Sequence, residues 1–123
     1  MLHYRITLAT STTAGNNSAL GYASLALATT GGNNSAFGSQ ALYANTTGHS
    51  NNSFGLQSLD ANTEGTYNCA FGHVALTANI TGSGNSAFGS QALAFTTGTS
   101  NTAVGDRAGY AVTSGNNNIF LGL

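Results

Sequence analysis

The sequence predicts an all-β fold, a β-solenoid or parallel β-roll of about seven 17-residue coils, and three observations carry that expectation. Gly, Ala, Ser, Thr and Asn supply 81 of the 123 residues, whereas an ordinary domain spreads its usage far more evenly. A glycine that follows an aromatic or aliphatic residue recurs at Gly21, Gly38, Gly55, Gly72, Gly89, Gly105 and Gly122, with every interval 17 except one of 16. An asparagine four residues earlier keeps the same period, at Asn17, Asn34, Asn51, Asn68, Asn85, Asn101 and Asn118. A helical solenoid would need units of roughly 33 residues or more built from strong helix formers. This unit is too short and too rich in Gly, Asn and Thr for that.

The elements follow in chain order. Residues 1–123 read as a single repeat domain, with 1–16 a partial N-terminal coil in which Leu8 aligns with Leu25, and with the repeats over 17–122. Counting the periodic asparagine as position one, each coil is expected to hold two short strands, around Ser35-Ala36-Phe37 and around Gln40-Ala41-Leu42 in the second copy, with a glycine corner between them. Position four reads Leu20, Phe37, Phe54, Phe71, Phe88, Val104 and Leu121, and position nine reads Leu25, Leu42, Leu59, Leu76, Leu93 and then Gly109. Like stacks on like in a solenoid, so these two rows are expected to fill the interior as the structural core. On that placement, an Asp at Phe71 is expected to abolish folding.

Position three is small until Phe120, and position eight is small throughout, which leaves flat faces suited to packing against a neighbour. The position-one asparagines are placed to hydrogen-bond from rung to rung. Thr-Thr-Gly and its variants at positions thirteen to fifteen form the return loop, and the single missing residue is expected between Leu93 and Thr96. At about 4.8 Å per rung the coils make a rod roughly 30 Å long. The chain stops in mid-unit after Ile119-Phe120-Leu121 without a polar cap, which points to a segment of a longer fibre or to an end covered by another chain.

Composition removes several function classes. Two basic and three acidic residues give a net charge of −1, so no basic stripe exists to neutralise a nucleic-acid backbone. No apolar run approaches the roughly 18 to 20 residues of a membrane span, and Met1–Ala9 lacks the order of a secretory signal. One cysteine, Cys69, excludes an internal disulfide and a multi-cysteine zinc site.

Candidate chemistry is sparse. His3, His49 and His73 occupy different positions of the repeat, where a metal site needs convergent ligands. Asp60 and Glu64 share a loop without a further acid or base to complete a hydrolytic pair. Asp106-Arg107 reads as a local or intersubunit ion pair, worth little if exposed, and Cys69 has no histidine at a matching position. No catalytic residue, cofactor or metal is therefore expected, and the chain is read as non-enzymatic. The five N-x-S/T triplets, at Asn16, Asn33, Asn45, Asn51 and Asn79, are about what this composition yields by chance, so they do not indicate glycosylation.

Two surface features remain. Tyr22, Tyr43, Tyr67 and Tyr110 depart from the small-residue background and are candidate glycan contacts, because aromatic faces stack on sugar rings. Thr29, Thr46, Thr63, Thr96 and Thr113 could form a flat array of methyls and hydroxyls, an ice-binding face, although Ile80 and Glu64 interrupt the threonine columns.

The units NSAFGSQALYANTTG from Asn34 to Gly48 and NSAFGSQAL from Asn85 to Leu93 resemble the YadA-like head repeats of phage tail-fibre proteins and trimeric autotransporter adhesins. Those repeats follow the pattern N-(T/S)-A-(V/F/I)-G-x-(Q/R)-A-(L/G), and the likeness runs over nearly the whole chain from about Gly15. It implies a β-roll that coils once per repeat and packs as a homotrimer in an extracellular head or fibre, on a virion or a cell surface. The implied function is structural and adhesive, attachment to a host receptor or cell-surface glycan, and the threonine columns give an ice-binding solenoid as the alternative. The autotransporter repeat is usually shorter, so the Thr-Thr-Gly loop is an elaboration.

Overall fold

A computed structural model describes residues 15–122. The expected partial coil over 1–16 thus lies, apart from its last two residues, outside the described residues.

The chain is a β-solenoid of about six turns. Its strands are β1 (Ser18–Leu20), β2 (Ser35–Phe37), β3 (Asn52–Phe54), β4 (Cys69–Phe71), β5 (Ser86–Phe88), β6 (Thr102–Val104) and β7 (Ile119–Leu121). They form one parallel sheet in sequence order, and each residue pairs with its equivalent in the next coil: Ala36 with Ser53, Phe54 with Phe71, Phe71 with Phe88. Coils one to six span 17–33, 34–50, 51–67, 68–84, 85–100 and 101–117.

Each coil has one strand, not two. The stretch around Gln40-Ala41-Leu42 is instead a series of turns in which positions seven and nine are left-handed: Gln40 at φ 58° and Leu42 at φ 51°, then Gln57 and Leu59, Val74 and Leu76, Gln91 and Leu93. Position seventeen is left-handed as well, as at Ser50 and Tyr67. Such angles bend the chain inward but cost L-residues about 1–3 kcal/mol each. The turns are nevertheless laced to their neighbours: Leu42 N–H donates to Ser58 O at 3.1 Å, and Val74 N–H to Leu56 O at 2.9 Å. At position five a side chain is barred twice over, since Gly72 has φ 148° and a Cβ there would run into the carbonyl oxygen of Gly89.

The position-nine leucines Leu25, Leu42, Leu59, Leu76 and Leu93 are the largest apolar side chains fully buried. Around them sit the small residues of positions three and eight, Ala36, Ala41, Ala70, Ala75, Ala87 and Ala92 among them. The expected flat outer faces are therefore the inside of the coil. In coil three both positions are serine, and Ser53 and Ser58 satisfy each other: their hydroxyls touch, and the Ser53 hydroxyl donates to Ser58 O at 2.7 Å.

The position-four row does not belong to the interior. Leu20, Phe88, Val104 and Leu121 are exposed, and Phe37, Phe54 and Phe71 are half-buried. Neighbouring strand residues point to opposite faces, and position three takes the inward side. A 17-residue coil has room for one leucine and several small groups per rung; a phenyl ring as well would overfill it. The rings stack on one another outside instead, with centroids 4.9, 4.5 and 5.2 Å apart along Phe37, Phe54, Phe71 and Phe88 and planes within 12° of parallel. Hence an Asp at Phe71 would break a surface stack and not fill the core with charge.

Two asparagine ladders line the inside. The position-one ladder expected from the sequence is present: Asn68 N–H donates to Asn51 Oδ1 at 3.0 Å, Asn68 Nδ2 donates to Gly82 O at 2.8 Å, and Asn68 Oδ1 receives Asn85 N–H at 2.9 Å. A second ladder runs through position twelve, where Asn62 Nδ2 donates to Asn45 Oδ1 at 2.9 Å and Asn79 Nδ2 to Asn62 Oδ1 at 3.0 Å. Each of these amides also closes its own turn, for example Asn79 Nδ2 to Gly82 O at 2.9 Å. Satisfied in this way, buried amides are not a desolvation burden.

The residue missing from coil five is absent from position fourteen, between Thr97 and Gly98, and not before Thr96. Thr96 N–H donates to Leu93 O as Asn79 N–H does to Leu76 O, and Thr97 N–H donates to Thr113 O as Thr46 N–H does to Thr63 O. Thr96 therefore stands at position twelve, inside the coil.

Candidate functional site

The outer face of the sheet is built from positions two and four. The position-two row runs Ser18, Ser35, Asn52, Cys69, Ser86 and Thr102, mostly polar, and ends in the apolar Ile119; the position-four row is the aromatic column with Leu20, Val104 and Leu121 at its ends. In-register pairing puts equivalent positions directly above one another, so the face is uncharged and periodic. Cys69 lies there, half-buried, and burial pushes its thiol up, away from the thiolate a nucleophile needs.

The four tyrosines do not converge. Tyr22 and Tyr67 are each 65% exposed, at positions six and seventeen, whereas Tyr43 and Tyr110 share position ten but lie four coils apart. Tyr67 meets the His49 ring edge-on at 5.2 Å. His73 is exposed at position six, away from His49, and no group of three metal-ligating side chains forms among the described residues. His3 lies outside the described residues. Asp60 Oδ1 accepts the Thr77 hydroxyl at 2.6 Å, a rung-to-rung bond, and Glu64 is exposed on the return turn.

The threonine row is not an open array of hydroxyls. Thr29, Thr46 and Thr63 direct Oγ1 along the axis onto the position-thirteen carbonyls of the next coil, at 3.0, 3.2 and 3.4 Å. Thr97 does the same toward Thr113 O at 2.9 Å. Thr96 is removed from the row altogether: it is fully buried, and its Oγ1 has no hydrogen-bond partner.

One convergence was not foreseen from the sequence. Arg107 and Tyr110 are joined by a turn in which Tyr110 N–H donates to Arg107 O at 3.0 Å, and the guanidinium lies 5.9 Å from the Tyr110 ring centroid. The Phe95 ring meets Tyr110 at 5.0 Å with planes 76° apart. Arg107 Nε donates to Gln91 Oε1 at 2.7 Å, so the arginine is held by the preceding coil and not by its neighbour Asp106. The signal lay in stacking: Gln91 and Arg107 are both position seven, and Phe95 and Tyr110 are positions eleven and ten of adjacent coils.

No family model, curated protein or solved structure matches the chain.

Proposed function

We propose that this chain is a structural and adhesive segment of an extracellular fibre, of the kind formed by the head repeats of phage tail fibres and bacterial surface adhesins, in which three copies pack side by side. The observation that carries the reading is the outer sheet face, where Leu20, Phe88, Val104 and Leu121 are 42%, 41%, 46% and 76% exposed along one uninterrupted apolar column. A protein with so few charges has little to keep such a column in water, and contiguous apolar faces of this kind mark contact surfaces. Because the column repeats at the rung spacing, a second and third copy can meet it in register. The product is a stiff rod with no catalytic role, and threefold display raises the avidity of any weak attachment site.

The test is the mass in solution. Light scattering after size exclusion is expected to give about three times the 12.3 kDa of one chain, and Phe71→Ser with Phe88→Ser is expected to reduce it to one chain without loss of the β-signal. A monomer at every concentration overturns the reading. Ice binding finds less support, because the threonine hydroxyls that would meet the ice lattice bond to backbone carbonyls.

A further inference from the structure

We propose that Gln91, Phe95, Arg107 and Tyr110 form a binding site for a carboxylate-bearing pyranose, a uronic or sialic acid unit of a surface glycan. The proposal rests on the adhesive reading above for its biological sense, but not for its geometry.

Arg107 is the only Lys or Arg among the described residues. It is aimed: Nε is held by Gln91 Oε1 at 2.7 Å, which leaves the two Nη groups as the fork that takes a carboxylate end-on. Beside it stands an aromatic corner. The phenylalanine column spends its ring faces on itself, but Phe95 and Tyr110 meet edge to face, and they remain 46% and 36% exposed. An aromatic face next to a cation suits a sugar ring with an apolar C–H face and an anionic substituent.

Arg107 and Tyr110, with Gly109, Ala111 and Val112, line an open, mostly apolar depression, and Gln91 and Phe95 of the preceding coil lie outside that lining and hold the pair from beside it. Coil two provides an internal control. Tyr43 occupies the position of Tyr110, but position seven there is Gln40, and the preceding coil supplies Leu27 in place of Phe95.

The test is a titration of the full chain, followed by NMR or calorimetry, with methyl α-D-glucuronide, N-acetylneuraminic acid and the neutral methyl α-D-glucoside. Saturable millimolar binding of at least one acid is expected, with the glucoside at least about tenfold weaker; which acid binds identifies the source. Arg107→Gln is expected to bring the acid down to the level of the glucoside, Tyr110→Ala to remove binding, and Tyr43→Ala to change nothing. Equal binding of acid and glucoside, acid binding that survives Arg107→Gln, or no saturable binding up to about 50 mM overturns the site. Arg107 is exposed, so its variant keeps the test usable even where Tyr110→Ala disturbs the fold. Light scattering on the same samples separates the two proposals: a trimer that ignores the acids overturns this site alone, and an acid-binding monomer overturns the fibre alone.

Discussion

Gly109 and Phe120 exchange volume across one rung. Every earlier coil has leucine at position nine and a small residue at position three; here position nine is Gly109, and the position-three residue of the next strand is Phe120. A Cβ on Gly109 would come within 2.8 Å of both Phe120 Cδ2 and Leu93 Cδ2, so the ring occupies space that a leucine would otherwise need. Gly109→Leu is expected to destabilise by about 1–3 kcal/mol through overpacking, and Phe120→Ala by about 2 kcal/mol, less than a full cavity because the ring is only half-buried. The double variant restores the pattern of the other coils and should recover at least about 1 kcal/mol of the summed loss. Urea unfolding of the four proteins checks this; strict additivity would refute the exchange.

Asn68 serves two neighbours at once. Removing its amide in Asn68→Ala leaves Asn85 N–H without its partner, while Gly82 O keeps Asn79 Nδ2, a loss of about 1–3 kcal/mol at the usual cost of one orphaned buried group. Asn68→Asp adds a pH dependence. Burial holds the introduced carboxyl's folded pKa above its unfolded value, so the variant is most stable in acid, where the protonated group can still donate to Gly82 O. It loses stability as pH rises through the folded pKa. Thermal unfolding from pH 3 to 7 reads this directly, and a flat profile would place Asn68 in solvent.

Thr96 is a hydroxyl in the wrong place. Its Oγ1 is buried without a partner, and the next coil carries Val112 at the same position. Thr96→Val keeps the shape and removes the orphaned group, so it should raise stability by about 1–2 kcal/mol. A drop in melting temperature would show that the hydroxyl is satisfied.

Inside and outside are distinguished by a matched pair. Leu76→Ser, in the fully buried row, should cost upward of about 3 kcal/mol. Phe71→Ser, in the half-buried outer column, should leave the β-signal intact and act on association. Circular dichroism with mass measurement separates the two effects, and equal unfolding by both would return the aromatic row to the interior.

The period, the parallel stacking, the leucine row and the position-one asparagines were legible because each recurs in nearly every copy. The facing of the strand was not. Position three and position four are both apolar in most copies, and alternation gives two opposite sides without saying which is inside; the narrowness of the coil decides it. The position-twelve ladder is hard to read in the sequence because Ala28, Thr96 and Val112 break it, leaving Asn45, Asn62 and Asn79 as a short run. The second strand was expected from Gln-Ala-Leu because no sequence rule anticipates leucine and valine at positive φ; Val74 at 48° is held there by its neighbours and against its own preference. Of the candidate tyrosines only Tyr110 lies in a cluster with a charged group, and that cluster is not legible from repetition because Arg107 and Phe95 each occur once at their positions.

The left-handed corners have a consequence for how small a piece of this molecule can fold. The unfavourable angles at positions seven, nine and seventeen belong to each coil by itself, whereas the strand pairing, the asparagine ladders and the ring stacking all belong to the junction between two coils. An array of n coils therefore carries n sets of strain but only n − 1 sets of compensation. A lone coil has all of the first and, of the second, only the bonds that close its own turns, such as Asn79 Nδ2 to Gly82 O, so order must begin with several coils at once and then spread from neighbour to neighbour, in the manner of a one-dimensional crystal.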